Sequence, residues 1–279
     1  MAGDLSAISS LKKVCNAPSL VEDLLSFTAG GLHTCPLLVS LSTSTLDLLG
    51  SICDKYNIST CRLDGSITPH TRKGMVDRFN SIHSEIRVFL LSSKAGGTGL
   101  NLIGASRLVL YDIDWNPATD LQAMARVWRD GQKQHCHVYR LITTGTIEEK
   151  IFQRQVMKRG LDTVGQTTHS QSHFSTEELR DLFTFRDDTE CETNDLLQCQ
   201  CGGSGVLEVE EEQGEGRSCQ LGMQVVVPTK RVEELMGWRH FTSPLEDKVE
   251  DALLGVASQF VSYLLRRTED RGAVLLYQG

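Results

Sequence analysis

No run in this 279-residue sequence is both long and apolar enough to span a bilayer, so no membrane partner is expected. Met1-Ala-Gly-Asp-Leu5 has no basic stretch leading into an apolar core, so no signal peptide is expected either. No segment repeats. The nine cysteines follow no regular spacing, which excludes a small disulfide-framed secreted domain. Reduced, buried or metal-bound thiols are expected instead. Two further patterns are missing: a Gly-x-x-x-x-Gly-Lys-Ser/Thr loop and an Asp-Glu-x-His string. Without them a chain cannot by itself cradle nucleotide phosphates or position an attacking water.

What is present is ordinary for a soluble protein, 40% hydrophobic and 23% charged. The net charge of −8 is unevenly spread. Residues 1–160 hold 18 Lys and Arg against 14 Asp and Glu; residues 161–279 hold 10 against 22. The first part is mildly basic and the tail strongly acidic. Any contact with a phosphate backbone is therefore expected upstream of residue 161.

From residue 36 short apolar runs alternate with helical periodicity. Pro36–Ser40, Ile58–Leu63, Ile86–Leu91, Arg107–Asp112 and His137–Thr143 read as strands. Leu46, Leu49 and Ile52 recur at helical spacing. Thr68-Pro69 opens a second helix, and Asn116-Pro117 a third that runs to about residue 130. Thr146-Ile-Glu-Glu149 is a capping-box signature for a fourth, to about 159. Strands alternating with helices over short joins predict an α/β fold: a parallel sheet with helices on both faces. Ligands of such sheets bind beyond the carboxyl ends of the strands. Beyond Gly160 the pattern weakens. Ser175-Thr-Glu-Glu178 opens a short helix, residues 202–216 read as a mobile glycine-rich acidic loop, and a helix is expected from Pro244. Its apolar stripe is Leu253, Val256, Ala257, Phe260, Val261 and Leu264.

Gln122-Ala-Met-Ala-Arg-Val-Trp-Arg-Asp-Gly-Gln132 carries Arg126 and Arg129 three residues apart, on one face if the helix continues. Two guanidiniums so placed form a fork of donors suited to phosphate oxygens, against a bland reading as a solvated surface. Ser92-Ser-Lys-Ala-Gly-Gly-Thr-Gly-Leu-Asn-Leu102 directly follows a strand, and its glycines let backbone N–H groups approach phosphates. Arg62-Leu-Asp-Gly-Ser66 ends another strand; Asp64-Gly65 reads equally as a turn. Trp115 reads as packing under the arginine helix. Cys199, Cys201 and His240, with Cys191 or Cys219, are candidate ligands of a structural zinc, against ordinary reduced cysteines.

The arginine string after Asp-Trp-Asn-Pro resembles the last helicase motif of the Swi/Snf-type DNA translocases, a branch of the superfamily-two helicases. The glycine loop and the Arg-Leu-Asp-Gly-Ser string are similar to motifs of the same family. Arg126-Val-Trp-Arg-Asp-Gly-Gln132, Thr146–Gln155 and Phe174–Phe183 resemble the recombination-repair, Rad-fifty-four type. Tyr111–Asp120, Asp195–Cys201 and Cys219-Gln-Leu-Gly222 look closer to its B paralogue. Two departures stand out. Leu41 and Ser42 replace the family's Asn-Tyr, and Ala17 replaces a histidine in Leu11–Pro18, a segment that resembles the family's inter-lobe connector.

The resemblance implies a RecA-like second helicase lobe at 33–160, a connector remnant at 1–32 and a small, mostly helical, partly disordered acidic region at 161–279. It implies Arg126 and Arg129 as catalytic arginines, with Gly97, Gly99 and Gln122 beside them at ATP. Ser93, Lys94, Arg62, Gly65 and Trp115 would face DNA. It implies ATP with magnesium, held mainly by a first RecA-like motor lobe. Further partners are double-stranded DNA and a strand-exchange recombinase, in the nucleus. The alternative is a short non-catalytic module that binds DNA or a repair partner without turnover.

Overall fold

A computed structural model describes residues 35–95, 99–163, 176–197, 204, 235, 238–242, 261–266 and 272–277. The connector at 1–32, Gly97, Cys199, Cys201, Cys219, the loop at 202–216 apart from Ser204 and the apolar stripe from Leu253 to Phe260 lie outside them.

The parallel sheet is built as the apolar runs predict. Strands β1 (Pro36–Ser40), β2 (Thr60–Leu63), β3 (Val88–Ser92), β4 (Arg107–Leu110) and β5 (His137–Thr143) pair in the order β2-β3-β1-β4-β5, all parallel. β1 and β3 are buried along their whole length. Helices on both faces explain why they read as unbroken apolar runs rather than alternating ones. Helix α1 (Thr43–Lys55) buries Leu46, Leu49, Ile52 and Cys53. Helix α2 (Pro69–Asn80) starts at Thr68, whose side chain accepts the Thr71 N–H, with Pro69 at the first position. It buries Val76 and Phe79, the latter edge-on to Phe89 with ring centroids 4.9 Å apart. Each fully buried Leu or Phe here contributes about 1.5–3 kcal/mol.

Helix α3 (Pro117–Met124) is shorter than its sequence pattern predicts. It ends six residues early, so Arg126 and Arg129 do not share a helix face. From Ala125 the chain tightens: the amides of Arg126 and Val127 reach back three residues, to Ala123 and Met124. The stop is tertiary. Val127 is fully buried in the main core, and the Arg126 carbonyl accepts the Leu102 N–H at 3.0 Å.

Helix α4 (Ile147–Thr163) follows β5. Its capping differs in detail from the expected box. Thr146 Oγ1 accepts from the Glu148 N–H, and Glu149 Oε2 accepts from Gly145 N–H at 2.7 Å. Helices α5 (Thr176–Leu182) and α6 (Glu192–Leu197) follow.

Three more strands extend the sheet: β6 (Arg239–Thr242), β7 (Val261–Arg266) and β8 (Gly272–Tyr277). β8 joins β5 in parallel, and β7 and β6 continue antiparallel. This corrects the expected helix across Val261 and Leu264. Leu264 and Leu265 are both fully buried although neighbours on a strand point to opposite faces. A strand covered on both faces leaves an apolar run that helical spacing imitates.

Candidate functional site

The carboxyl ends of β1, β3 and β4 meet, because β3 and β4 flank β1. They are tied by polar bonds. Asp112, buried just after β4, accepts from Ser40 Oγ at 2.8 Å and from the Leu41 N–H at 2.7 Å. The Ser93 N–H donates to the Ser40 carbonyl at 2.9 Å. The glycine loop therefore leaves β3 from a fixed point, with Ser93 half-buried and the Lys94 side chain exposed.

The loop returns under the arginine turn. Gly99 has φ +65°, a left-handed conformation that favours glycine. Arg129 Nη1 donates to the carbonyls of Gly99 and Leu100 at 3.2 and 3.1 Å. Gln132 closes the turn: its Nε2 lies 2.8 Å from the Ala105 carbonyl and 3.3 Å from that of Ile103. Gly131, at φ +95°, lets the chain reverse into it. Asn80 holds the far end of the loop, donating to the Asn101 carbonyl and accepting the Gly104 N–H. Motif reading alone missed Asn80. The tight glycine beside it is the signal: a Cβ on Gly104 would stand 2.8 Å from the Phe79 carbonyl.

Arg126 behaves differently from Arg129. Its Nε is buried and has no hydrogen-bond partner. Burial, and then the charge of Arg129, hold its guanidinium below the usual arginine range. No carboxylate among the described residues pairs with either arginine. Two neighbouring cations, one partly desolvated and with an unsatisfied donor, form a site that an anion would stabilise. Gln122 is exposed on α3, four residues before Arg126.

Arg62 sits apart from this pair. Its guanidinium bonds to Asp47 and, at 3.0 Å, to Asp64 Oδ2. Asp64 also accepts from Ser66 N–H and Oγ, contacts that hold its carboxyl below the ordinary range. Arg62 thus fixes the Asp64-Gly65 turn, leaving Gly65 exposed at its tip with open space where a side chain would stand. Trp115 is half-buried against the second apolar cluster of Ile113, Ile142, Ile147 and Ile151. Trp128, between the arginines, is 68% exposed.

Of the expected zinc ligands, only Cys191 and His240 lie among the described residues. His240 is buried on β6 and donates Nε2–H to the Leu235 carbonyl at 2.9 Å. Cys191 Sγ accepts the Asn194 N–H, and its S–H donates to Glu149 Oε1 at 3.6 Å. Burial and the Glu149 carboxylate raise that thiol well above its ordinary range. Among the described residues no cluster of His, Cys, Asp and Glu is placed to hold a metal.

Residues 19–131 match the helicase conserved C-terminal domain. The chain is 50% identical over 215 residues to the DNA repair and recombination protein RAD54B of Homo sapiens, spanning 74% of this chain and 24% of that protein. It is 46% identical over 221 residues to the DNA repair protein rhp54 of Schizosaccharomyces pombe, spanning 78% and 24%. It is 38% identical over 315 residues to the DNA repair and recombination protein RAD54-like of Danio rerio, spanning 97% and 40%. A crystal structure of the C-terminal part of the Fun30 ATPase domain is 38% identical, with a TM-score of 0.42 over 43% of this chain and 38% of that one. The chain spans about a quarter to two fifths of the length of these curated relatives. The chain belongs to the Swi/Snf-type, Rad54-like branch of the superfamily-two helicases and carries the helicase C-terminal domain of that branch.

Proposed function

We propose that this chain works as the second motor lobe of an ATP-dependent double-stranded DNA translocase in recombination repair. It acts in the nucleus, with a strand-exchange recombinase as partner. The observation that carries the reading is the Arg126–Arg129 pair, two cations that form no ion pair among the described residues, one with an unsatisfied buried donor. A phosphoryl group arriving on a first lobe would be the missing anion. The first lobe would hold magnesium with the nucleotide, and the ion would supply charge neutralisation there. On this chain, Arg126 presents donors to the transferred group and Arg129 stands three residues on, anchored on the glycine loop. Gly97, Gly99 and Gln122 serve the nucleotide side of the same site. Ser93, Lys94 and the Arg62-supported tip at Gly65 offer donors to a DNA backbone.

The test mixes the chain with a separately produced first lobe of RAD54B and follows ATP hydrolysis with and without duplex DNA. DNA-stimulated hydrolysis, absent from either part alone, supports the motor-lobe reading. Binding of DNA with no hydrolysis in the mixture would contradict it and favour the non-catalytic module.

A further inference from the structure

The arginine turn is held in place from the far side of α3, by a buried polar cluster that none of the phosphate- or DNA-facing motifs includes. Asp120, on α3, is 3% exposed. Its Oδ1 accepts the Asp114 N–H at 3.2 Å and its Oδ2 accepts Gln155 Nε2 at 2.7 Å. The same Gln155 amide also donates to the Asp114 carbonyl. Gln155 projects from α4 and is 2% exposed. Arg140, on β5, lends its charge to Asp120 and places Nη2 3.7 Å from Met124 Sδ, at the last residue of α3. Three elements therefore converge on one short helix, two residues before Arg126.

A carboxylate in this setting is costly. Burial pushes the Asp120 acid upward, and Arg140 and Gln155 only partly oppose that. An apolar residue would fill the space without such a cost. What the cluster supplies is direction: each hydrogen bond admits one register of α3 against α4, where apolar packing tolerates sliding. Opposite faces of the turn are fixed separately, by Gln132 and by the Leu102 N–H.

We infer that Asp120 and Gln155 are positioning residues that set where Arg126 stands, and that they tie that position to α4. The inference rests on the motor-lobe reading for its catalytic consequence, and on geometry alone for its structural one. A misplacement of about 1 Å lowers rates on the order of a hundredfold, so kcat is the parameter to read.

The experiment uses the full chain in two assays. In the first, hydrogen exchange is followed at the amides of residues 124–128, with no partner lobe present. In the second, ATP hydrolysis is measured after mixing with the first lobe of RAD54B. Gln155→Leu is compared with Gln153→Leu. Gln153 is a similarly buried amide on the same helix, but it faces Thr193 at 3.3 Å rather than α3. Gln155→Leu should speed exchange at 124–128 and lower kcat by about ten- to a hundredfold with little change in KM for ATP. Gln153→Leu should leave both unchanged at a similar loss in Tm. Asp120→Asn turns an amide donor toward the Gln155 donor and should move both readouts in the same direction as Gln155→Leu. Equal behaviour of the two Gln→Leu variants, or unchanged exchange at 124–128 in Asp120→Asn, would overturn the inference. If the wild-type mixture hydrolyses nothing, the motor-lobe reading fails, while the exchange comparison still decides the structural claim.

Discussion

Around β1, β3 and β4 the interior is filled by Leu37, Val39, Phe89, Leu91, Leu108 and Leu110, with Asp112 as a tie at the strand ends. Where α4 meets residues 184–197 the interior holds charge. Glu149 accepts from Thr193 N–H at 2.6 Å, Thr193 Oγ1 at 2.7 Å and Gly145 N–H at 2.7 Å. Lys150 pairs with Glu192, each side chain 5% exposed, and with Asp181 at 3.1 Å. The Arg186 N–H donates to the Gly145 carbonyl, so the C-terminal segment crosses directly over the β5–α4 turn. Apolar packing makes the first region tolerant of sequence detail. The second depends on each partner being present, because a buried charge left alone is far more costly than a lost contact. The arginine turn lies between them, anchored by Val127 to one and by Asp120 to the other.

Each region can be disrupted separately. Phe89→Ala opens a cavity in the apolar region and should cost about 3–5 kcal/mol, seen as a cooperative loss of the whole fold in urea. Lys150→Met leaves Glu192 without its buried cation and should cost about 3 kcal/mol. Hydrogen exchange should locate that loss at 176–197 while β1 and β3 stay protected. Adding Glu192→Leu should recover most of it; no recovery would mean the pair is not what holds the region. Gly145→Ala should cost about 2 kcal/mol, with the same locus. Gly145 has φ +66°, and a Cβ there would stand 1.7 Å from the Arg186 carbonyl oxygen.

The smallest effect concerns pH. Burial lowers the His240 pKa below its usual 6.5, against the Leu235 carbonyl, which raises it. The folded state keeps His240 neutral, so its contribution to stability is complete above the unfolded value of about 6.5 and is lost as pH falls through the lower folded one. Exchange at β6 should quicken between pH 7 and pH 5 before that at β1 does, and His240→Gln should flatten the difference.

The parallel strands were legible because a strand buried on both faces leaves an apolar run bounded by polar loops. The motifs at 92–102 and 122–132 were legible as strings, and the structure brings Gly99 and Arg129 into contact. Three things were not. The early end of α3 has no glycine or proline until Gly131 to announce it; Val127 and Leu102 impose it from outside the segment. Glu149 and Lys150 look like an exposed first turn, since no local pattern tells a buried charge from a solvated one. The strand at Val261–Arg266 imitates a helical stripe, and its partner β8 begins only at Gly272, beyond the stripe in sequence.

The most direct measurement is the rate of DNA-stimulated ATP hydrolysis when this chain, carrying Arg126→Ala, is mixed with the first lobe of RAD54B. If Arg126 supplies charge to the transferred phosphoryl group, kcat should fall on the order of a thousandfold relative to the unmodified chain. An unchanged kcat would contradict the assignment of the unsatisfied Arg126 donor to the phosphoryl site.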